Sequence, residues 1–198
     1  MNFSDTDRSE QLIIERCRKQ DAVAFGEFVD LYQSRLFGFV KRMISDSEEA
    51  EDITQDVFIR CFQHFHKFDG RSSIKTWLFR IAHNLCIDSA RRSKRSVSSL
   101  SLSGESDDQE PIEVADFRWE PEQIAIDTEL QAHVDAAISK MSEKLRSVLI
   151  LHDREDMEYE EIAEALDIPV GTVKSRLFLA RNFLKSELSA YFEGKAPN

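Results

Sequence analysis

The chain has 198 residues, 41% of them hydrophobic, and its 26 Lys and Arg face 37 Asp and Glu for a net charge of −11. That length suits one large or two small domains, and no apolar run is long enough to cross a bilayer, so no membrane insertion is expected. MNFSDTDRSE lacks the basic start and apolar stretch of a secretion signal, and the odd set Cys17, Cys61 and Cys86 encodes neither a disulfide framework nor a four-ligand zinc site. A cytoplasmic chain with reduced, mostly buried thiols is the expectation.

In chain order, the first clear element runs from Asp21 to Ile44, with Asp21 as N-cap and Phe25, Phe28, Val29, Tyr32, Leu36, Phe39, Val40 and Met43 recurring at helical spacing. Asp46, followed three residues later by Glu49, is a carboxylate version of the capping box and opens a helix to about Phe68. Its inner seam is Ala50, Ile53, Val57, Cys61 and Phe68, with Phe58, Phe62 and Phe65 alongside. The opposite face carries Glu48, Glu49, Asp52 and Asp56 joined by the apolar Ile59, with no basic residue from Ser45 to Ile59. A solvated acidic face is the plain reading; an apolar side chain inside that stripe is what a docking surface adds.

Asp69 and Gly70 mark a turn, and Arg71, Ser72 and Ser73 can cap a helix from Ile74 to about Arg92 with Ile74, Leu78, Ile81 and Leu85 as its core stripe. Trp77, Arg80, Asn84, Ile87 and Arg91 share another face. Between Arg71 and Arg95 there are seven basic residues and one acid, Asp88. Cations interleaved with an aromatic suit single-stranded nucleic acid, where bases stack and phosphates pair. From Ser96 to Pro121 come six serines, seven acids and one base without apolar periodicity, which reads as a flexible linker. A helix from about Pro121 to Lys140 bearing Leu130, Val134, Ala137 and Ile138 follows, and Ser142 caps another bearing Leu145, Val148, Leu149 and Leu151.

The stretch YEEIAEALDIPVGTVKSRLFLARNFLK, Tyr159 to Lys185, reads as two short helices around a tight turn. Tyr159, Ile162, Ala163 and Leu166 share one face; Asp167, Ile168 and Pro169 break the period, Pro169 lacking the amide a helix interior needs. A second run begins near Gly171, with Val173, Leu177, Ala180 and Leu184 in one stripe and Lys174, Ser175, Phe178, Arg181 and Asn182 opposite. From Val170 to Ser186 there are four basic residues and no acid, which suits a helix facing phosphates and bases. The fold class expected is all-α: two small helical domains, residues 8–95 and 122–192, joined by an acidic flexible linker over 96–121.

Three segments in order, DITQDVF (Asp52 to Phe58), KTWLFRIAHN (Lys75 to Asn84) and YEEIAEALDIPVGTVKSRL (Tyr159 to Leu177), resemble the bacterial sigma factors of the extracytoplasmic-function class along nearly the whole chain. The resemblance implies a sigma region 2-like domain, a region 4-like helix-turn-helix domain, and transcription initiation under stress. It implies core RNA polymerase, through its beta-prime and beta subunits, and promoter DNA as partners, with an anti-sigma factor as regulator and no cofactor or metal. Asp52, Gln55, Asp56 and Phe58 fall where the family meets polymerase, although the helical phase turns Phe58 inward; Glu48, Glu49 and Ile59, on the same acidic face as Asp52 and Asp56, join the polymerase-binding candidates. Phe68, Arg71, Ser72, Ser73, Ile74 and Asn84 fall where the family captures an unstacked minus-ten base, and Lys75, Trp77, Arg80 and Arg91 from the basic, aromatic stretch join the minus-ten candidates. Lys174, Ser175, Arg176 and Phe178 fall among the family's minus-thirty-five readers, and Thr172 and Arg181 of the same helix join them.

Met141 and Ser142 replace the usual Leu-Pro, Glu158 replaces a common capping serine, and Leu179 replaces a polar or basic residue, which puts the element read by that helix in question. Other classes account for less. A stand-alone helix-turn-helix regulator leaves the acidic stripe and the Trp77 face unexplained; a decoy for an anti-sigma factor explains the first domain alone. An enzyme has least support, because His64, His66, His83, His133 and His152 form no catalytic or ligand spacing and no glycine-rich phosphate loop is present.

Overall fold

The computed structural model describes residues 3–97 and 128–194, which form helices and no strand among the described residues. They belong to two units. The first holds α1 (Phe3–Arg18), α2 (Ala22–Met43), α3 (Ser47–His64), a 3-10 turn at Phe65–Lys67 and α4 (Ile74–Val97). The second holds α5 (Thr128–Lys140), α6 (Glu143–Asp153), most of α7 (Tyr159–Leu166) and α8 (Val170–Gly194). The linker expected over 96–121 overlaps the end of α4 at Ser96 and Val97, and its remainder lies outside the described residues, as does the expected start of α5. No described helix is long and apolar enough to cross a membrane.

Both carboxylate N-caps form, but Glu49 does not complete the expected capping box with Asp46, its carboxylate accepting from the Ser89 hydroxyl instead. Asp21 accepts from the amides of Val23 and Ala24 at 2.9 and 3.1 Å, and Asp46 accepts from the Glu49 amide at 2.9 Å. The Asp46 bond satisfies one of the orphan donors at the start of α3, so Asp46→Ala should cost about 1 kcal/mol in urea denaturation of the full chain, with the helix otherwise intact.

Helix α1 has no counterpart among the expected elements. It is fastened to α2 largely by polar groups: Arg16 bonds Asp21 at 3.0 Å and both Glu27 oxygens at 3.2 Å, and the Tyr32 hydroxyl donates to Glu10. Its buried apolar anchor is Cys17. Gln20 turns the chain between the two helices in the left-handed region at φ 62°, with the Asp21 amide reaching back to Arg16 O at 3.2 Å.

Phe28, Leu36, Phe39 and Val40 of α2, Val57 and Cys61 of α3, and Leu78, Phe79 and Ala82 of α4 are fully buried and form the first core. Phe39 meets Phe79 edge-on at 5.3 Å, and Phe28 meets Phe65 at 5.2 Å. The stripe expected on α4 needs correction: Ile81 is half-buried, while Phe79, Ala82 and Cys86 lie inside. Helix α4 packs against both α3 and α2, so its buried face is wider than one stripe. All three cysteines are free and buried, and burial pushes the thiols up, Cys17 to about 11 and Cys86 to about 12, which keeps them protonated and unreactive.

In the second unit α6 and α5 both pack on α8, around Val148, Leu151, Ile162, Val173 and Ala180. Ser142 occupies the cap position of α6 but its side chain makes no cap bond; its carbonyl accepts from Arg146 at 2.9 Å instead. Glu158 serves where the family favours serine because the Glu161 carboxylate accepts the Glu158 amide at 3.1 Å. The turn between α7 and α8 is three residues long. Asp167 closes α7 at φ 54°, the Ile168 amide bonds Ala163 O at 3.0 Å, and Pro169 O accepts from Thr172 and Val173 to start α8. Helix α8 does not stop near Lys185 but continues to Gly194, held to α5 by Lys140 and Glu187 at 2.6 Å and by the rings of His133 and Tyr191.

Candidate polymerase and nucleic-acid interfaces

On α3 the inner seam buries Ala50, Ile53, Val57, Phe58 and Cys61, which leaves Glu48, Asp52, Gln55 and Asp56 exposed on the far side. Ile59 stands among them, 53% exposed. Phe58 points inward, edge-on to Phe28 at 6.3 Å. Glu49 departs from the group: it is half-buried and accepts a hydrogen bond from the Ser89 hydroxyl of α4, so it ties α3 to α4.

Across the same unit, α4 presents Trp77, Arg80, Asn84, Ile87 and Arg91 at spacings of three and four, with Asn84 and Arg91 exposed and the others half-buried. The Trp77 ring is fixed by Phe65 at 5.5 Å and Phe68 at 5.4 Å. The loop before α4 is ordered by its own bonds. Gly70 adopts φ +77°, Asp69 accepts from the Arg71 amide at 3.2 Å and from its guanidinium at 2.6 Å, and those contacts, the amide first, hold the Asp69 carboxyl below the usual range. Ser73 caps α4 by accepting the Thr76 amide at 3.0 Å. Lys75 is half-buried and Ser72 likewise.

Two residues expected on this face belong to the core. Phe68 is 7% exposed, packed against Phe65 and Trp77, and Ile74 is buried at the start of α4. Each supports the surface from below.

In the second unit Lys174 and Phe178 are exposed at the outer face of α8, and Thr172, Ser175 and Arg176 are half-buried beside them. The Ser175 hydroxyl donates to Thr172 O at 3.1 Å. Lys174 Nζ sits 5.4 Å over the Tyr159 ring, which stacks on His152 at 5.2 Å. Arg181 is placed differently from the expectation of an open DNA contact. Its Nη2 donates to Asp153 Oδ1 at 2.7 Å and lies 3.3 Å from His152 Nδ1, pinning α8 to the end of α6.

Sequence reasoning missed Arg146. It is buried on α6 and donates to the carbonyls of Ile138, Ser139 and Met141 at the end of α5. An arginine inside the apolar run LRSVLIL was the available signal, since such a group is buried only with partners.

An acidic, apolar-studded face on α3, a basic, aromatic one on α4 and a helix-turn-helix in the second unit together define a DNA-binding protein of transcription. The chain matches Sigma-70 region 2 over residues 28–96 and Sigma-70, region 4 over residues 132–184. It is 36% identical to the ECF RNA polymerase sigma factor SigW of Bacillus subtilis across 88% of this chain and 94% of that protein. It is 31% identical to the ECF RNA polymerase sigma-E factor of Escherichia coli K12 across 91% and 94%. Among solved structures, the sigma factor RpoE from Bartonella quintana, in a co-crystal with the anti-sigma factor NepR, superposes with a TM-score of 0.65 at 26% identity over 83% of this chain and 96% of that one. The chain belongs to the extracytoplasmic-function class of sigma factors, a family that is not a class of enzymes.

Proposed function

We propose that this chain is an alternative sigma factor that binds core RNA polymerase in the cytoplasm and directs promoter-specific initiation. One observation carries the reading: the first unit exposes Glu48, Asp52, Gln55, Asp56 and Ile59 on α3 and presents on α4 a row of half-buried Trp77 and Arg80 with exposed Asn84 and Arg91. The acidic row docks on the beta-prime subunit. The loop from Arg71 to Ser73 and the α4 row receive the melted minus-ten strand, while the opening of α8 reads the minus-thirty-five element. The first domain is taken as residues 8–95 and the second as 122–192, joined by a linker over 96–121. An anti-sigma factor holds the chain in reserve, a reading supported by the complex formed by the similar Bartonella protein.

Run-off transcription tests it. Core polymerase plus this chain should yield transcripts from promoters selected out of a random library and none without it; equal transcription in both overturns the reading.

The two DNA faces should fail at different steps, because base readout and base capture act at different stages. Lys174→Ala and Arg176→Ala should weaken binding to a minus-thirty-five duplex, any bidentate base contact giving about 1 to 3 kcal/mol of discrimination. Asn84→Ala should leave closed-complex affinity nearly unchanged and depress permanganate reactivity of minus-ten thymines, since capture offsets an unstacking cost of roughly a few kcal/mol. Normal melting by Asn84→Ala, with unchanged duplex binding by the other two, contradicts this division.

A further inference from the structure

The pair between Arg181 and Asp153 is unusual for a face that meets DNA. Arg181 lies two helical turns after Lys174 and one after Phe178, on the outer face of α8. A free guanidinium there adds a phosphate contact that is blind to sequence. Instead it is held at 2.7 Å by a carboxylate, with side-chain exposures of 26% and 30% for the two partners. Its Nε is buried without a hydrogen-bond partner, so the geometry is not the one that would best satisfy the guanidinium.

Asp153 is equally out of place by simple electrostatics. It is the last residue of α6, where helix carbonyls disfavour a carboxylate. Burial favours its neutral form as well, yet the bonds from His152 and Arg181 hold its carboxyl below the usual range. An anion beside a DNA face repels phosphates, and a withheld cation attracts them less. Both features lower general affinity for duplex.

We propose that Asp153 is a specificity-determining positioning residue: it holds Arg181 off the DNA phosphates, so that affinity for duplex lacking the cognate element stays low and discrimination rests on the opening turn of α8. This rests on the reading of α8 as the minus-thirty-five reader. Tyr159 and His152 complete the same ledge between Lys174 and Arg181, through the stacked rings and the 2.7 Å contact of His152 Nδ1 with Asp153.

The test uses polymerase holoenzyme containing the full chain, a duplex bearing the selected minus-thirty-five element, and the same duplex with that element scrambled. Asp153→Asn, nearly isosteric, should raise affinity for the scrambled duplex roughly three- to tenfold and steepen the slope of log affinity against log salt by about one, the signature of one added phosphate contact. The ratio of matched to scrambled affinity should fall accordingly, and adding Arg181→Gln should restore the original slope. Arg181→Gln alone should leave the slope as it is in the unmodified protein. A purely structural staple predicts instead that Asp153→Asn lowers both affinities alike at constant slope, and that result overturns the proposal, as does a slope shallower by about one in Arg181→Gln alone. If the unmodified holoenzyme fails to distinguish the two duplexes, the reading of α8 itself is wrong and the proposal goes with it.

Discussion

Arg146→Met should destabilise the second unit by about 3 kcal/mol or more. The guanidinium donates through Nε to Ile138 O at 3.0 Å and through Nη2 to Ser139 O and to Met141 O at 2.8 Å. Ser139 O and Met141 O stand where the helix amides of α5 run out, while Ile138 O also accepts the Met141 amide at 3.1 Å. A cation at that negative helix end is also favoured by the dipole. Burial pulls the Arg146 guanidinium below its ordinary value, which measures the cost of placing a charge there. Methionine removes that cost and restores apolar packing, but Ser139 O and Met141 O then lose this donor, each at about 1 to 3 kcal/mol, while Ile138 O keeps the Met141 amide at 3.1 Å. The second effect should win. Arg146→Lys should rescue only part, because one ammonium cannot span three acceptors as a planar fork does. Hydrogen exchange of α5 and α6 amides and thermal melting of the full chain read the outcome; a loss under about 1 kcal/mol for Arg146→Met would refute the capping role.

What the sequence revealed and what it hid divides along physical lines. Short-range signals were legible: Asp21 and Asp46 as caps, the Gly70 turn, and the break at Asp167 to Pro169 all depend on a few adjacent residues, and all form. Helical periodicity found the seam of α3 and therefore the exposed faces of Glu48, Asp52, Asp56 and Ile59. It failed where a helix is covered from two sides, as on α4, because two overlapping stripes do not give one period. It also missed α1, which is fastened to α2 by Arg16, Glu10 and Tyr32, since polar pairing between distant residues leaves no periodic trace. The resemblance placed Phe68 and Ile74 at a DNA face by position, and helical phase placed Arg181 at another. A motif fixes where a residue stands in the chain, whereas neighbours fix where its side chain points: two of these went into the core and one to Asp153.

The acidic row on α3 gives the second large effect, because it is costly for the fold to keep. Glu48, Asp52 and Asp56 recur at intervals of four, so each neighbouring pair places like charges one turn apart, at about 0.2 to 0.5 kcal/mol per pair. No basic residue between Ser45 and Ile59 relieves them, and Arg60, one turn after Asp56, offsets only the last of them. Asp52→Lys makes the pairing with Glu48 attractive, whereas Asp56→Lys brings a cation one turn before Arg60, so the folded state should change by less than about 1 kcal/mol in the double variant. Binding should respond quite differently. If a basic surface on polymerase meets this row around the exposed Ile59, reversing two charges replaces attraction by repulsion at both positions, a change of several kcal/mol. Affinity for core polymerase should therefore fall at least tenfold while the melting temperature holds within a few degrees. Ile59→Ala should weaken docking less and without altering its salt dependence, since apolar burial is not screened. Glu49→Gln should act mainly on stability, through the Ser89 bond it makes on the inner side. Core-binding affinity of the Asp52→Lys, Asp56→Lys chain equal to that of the unmodified protein, with the helix content preserved, would remove α3 as the docking surface.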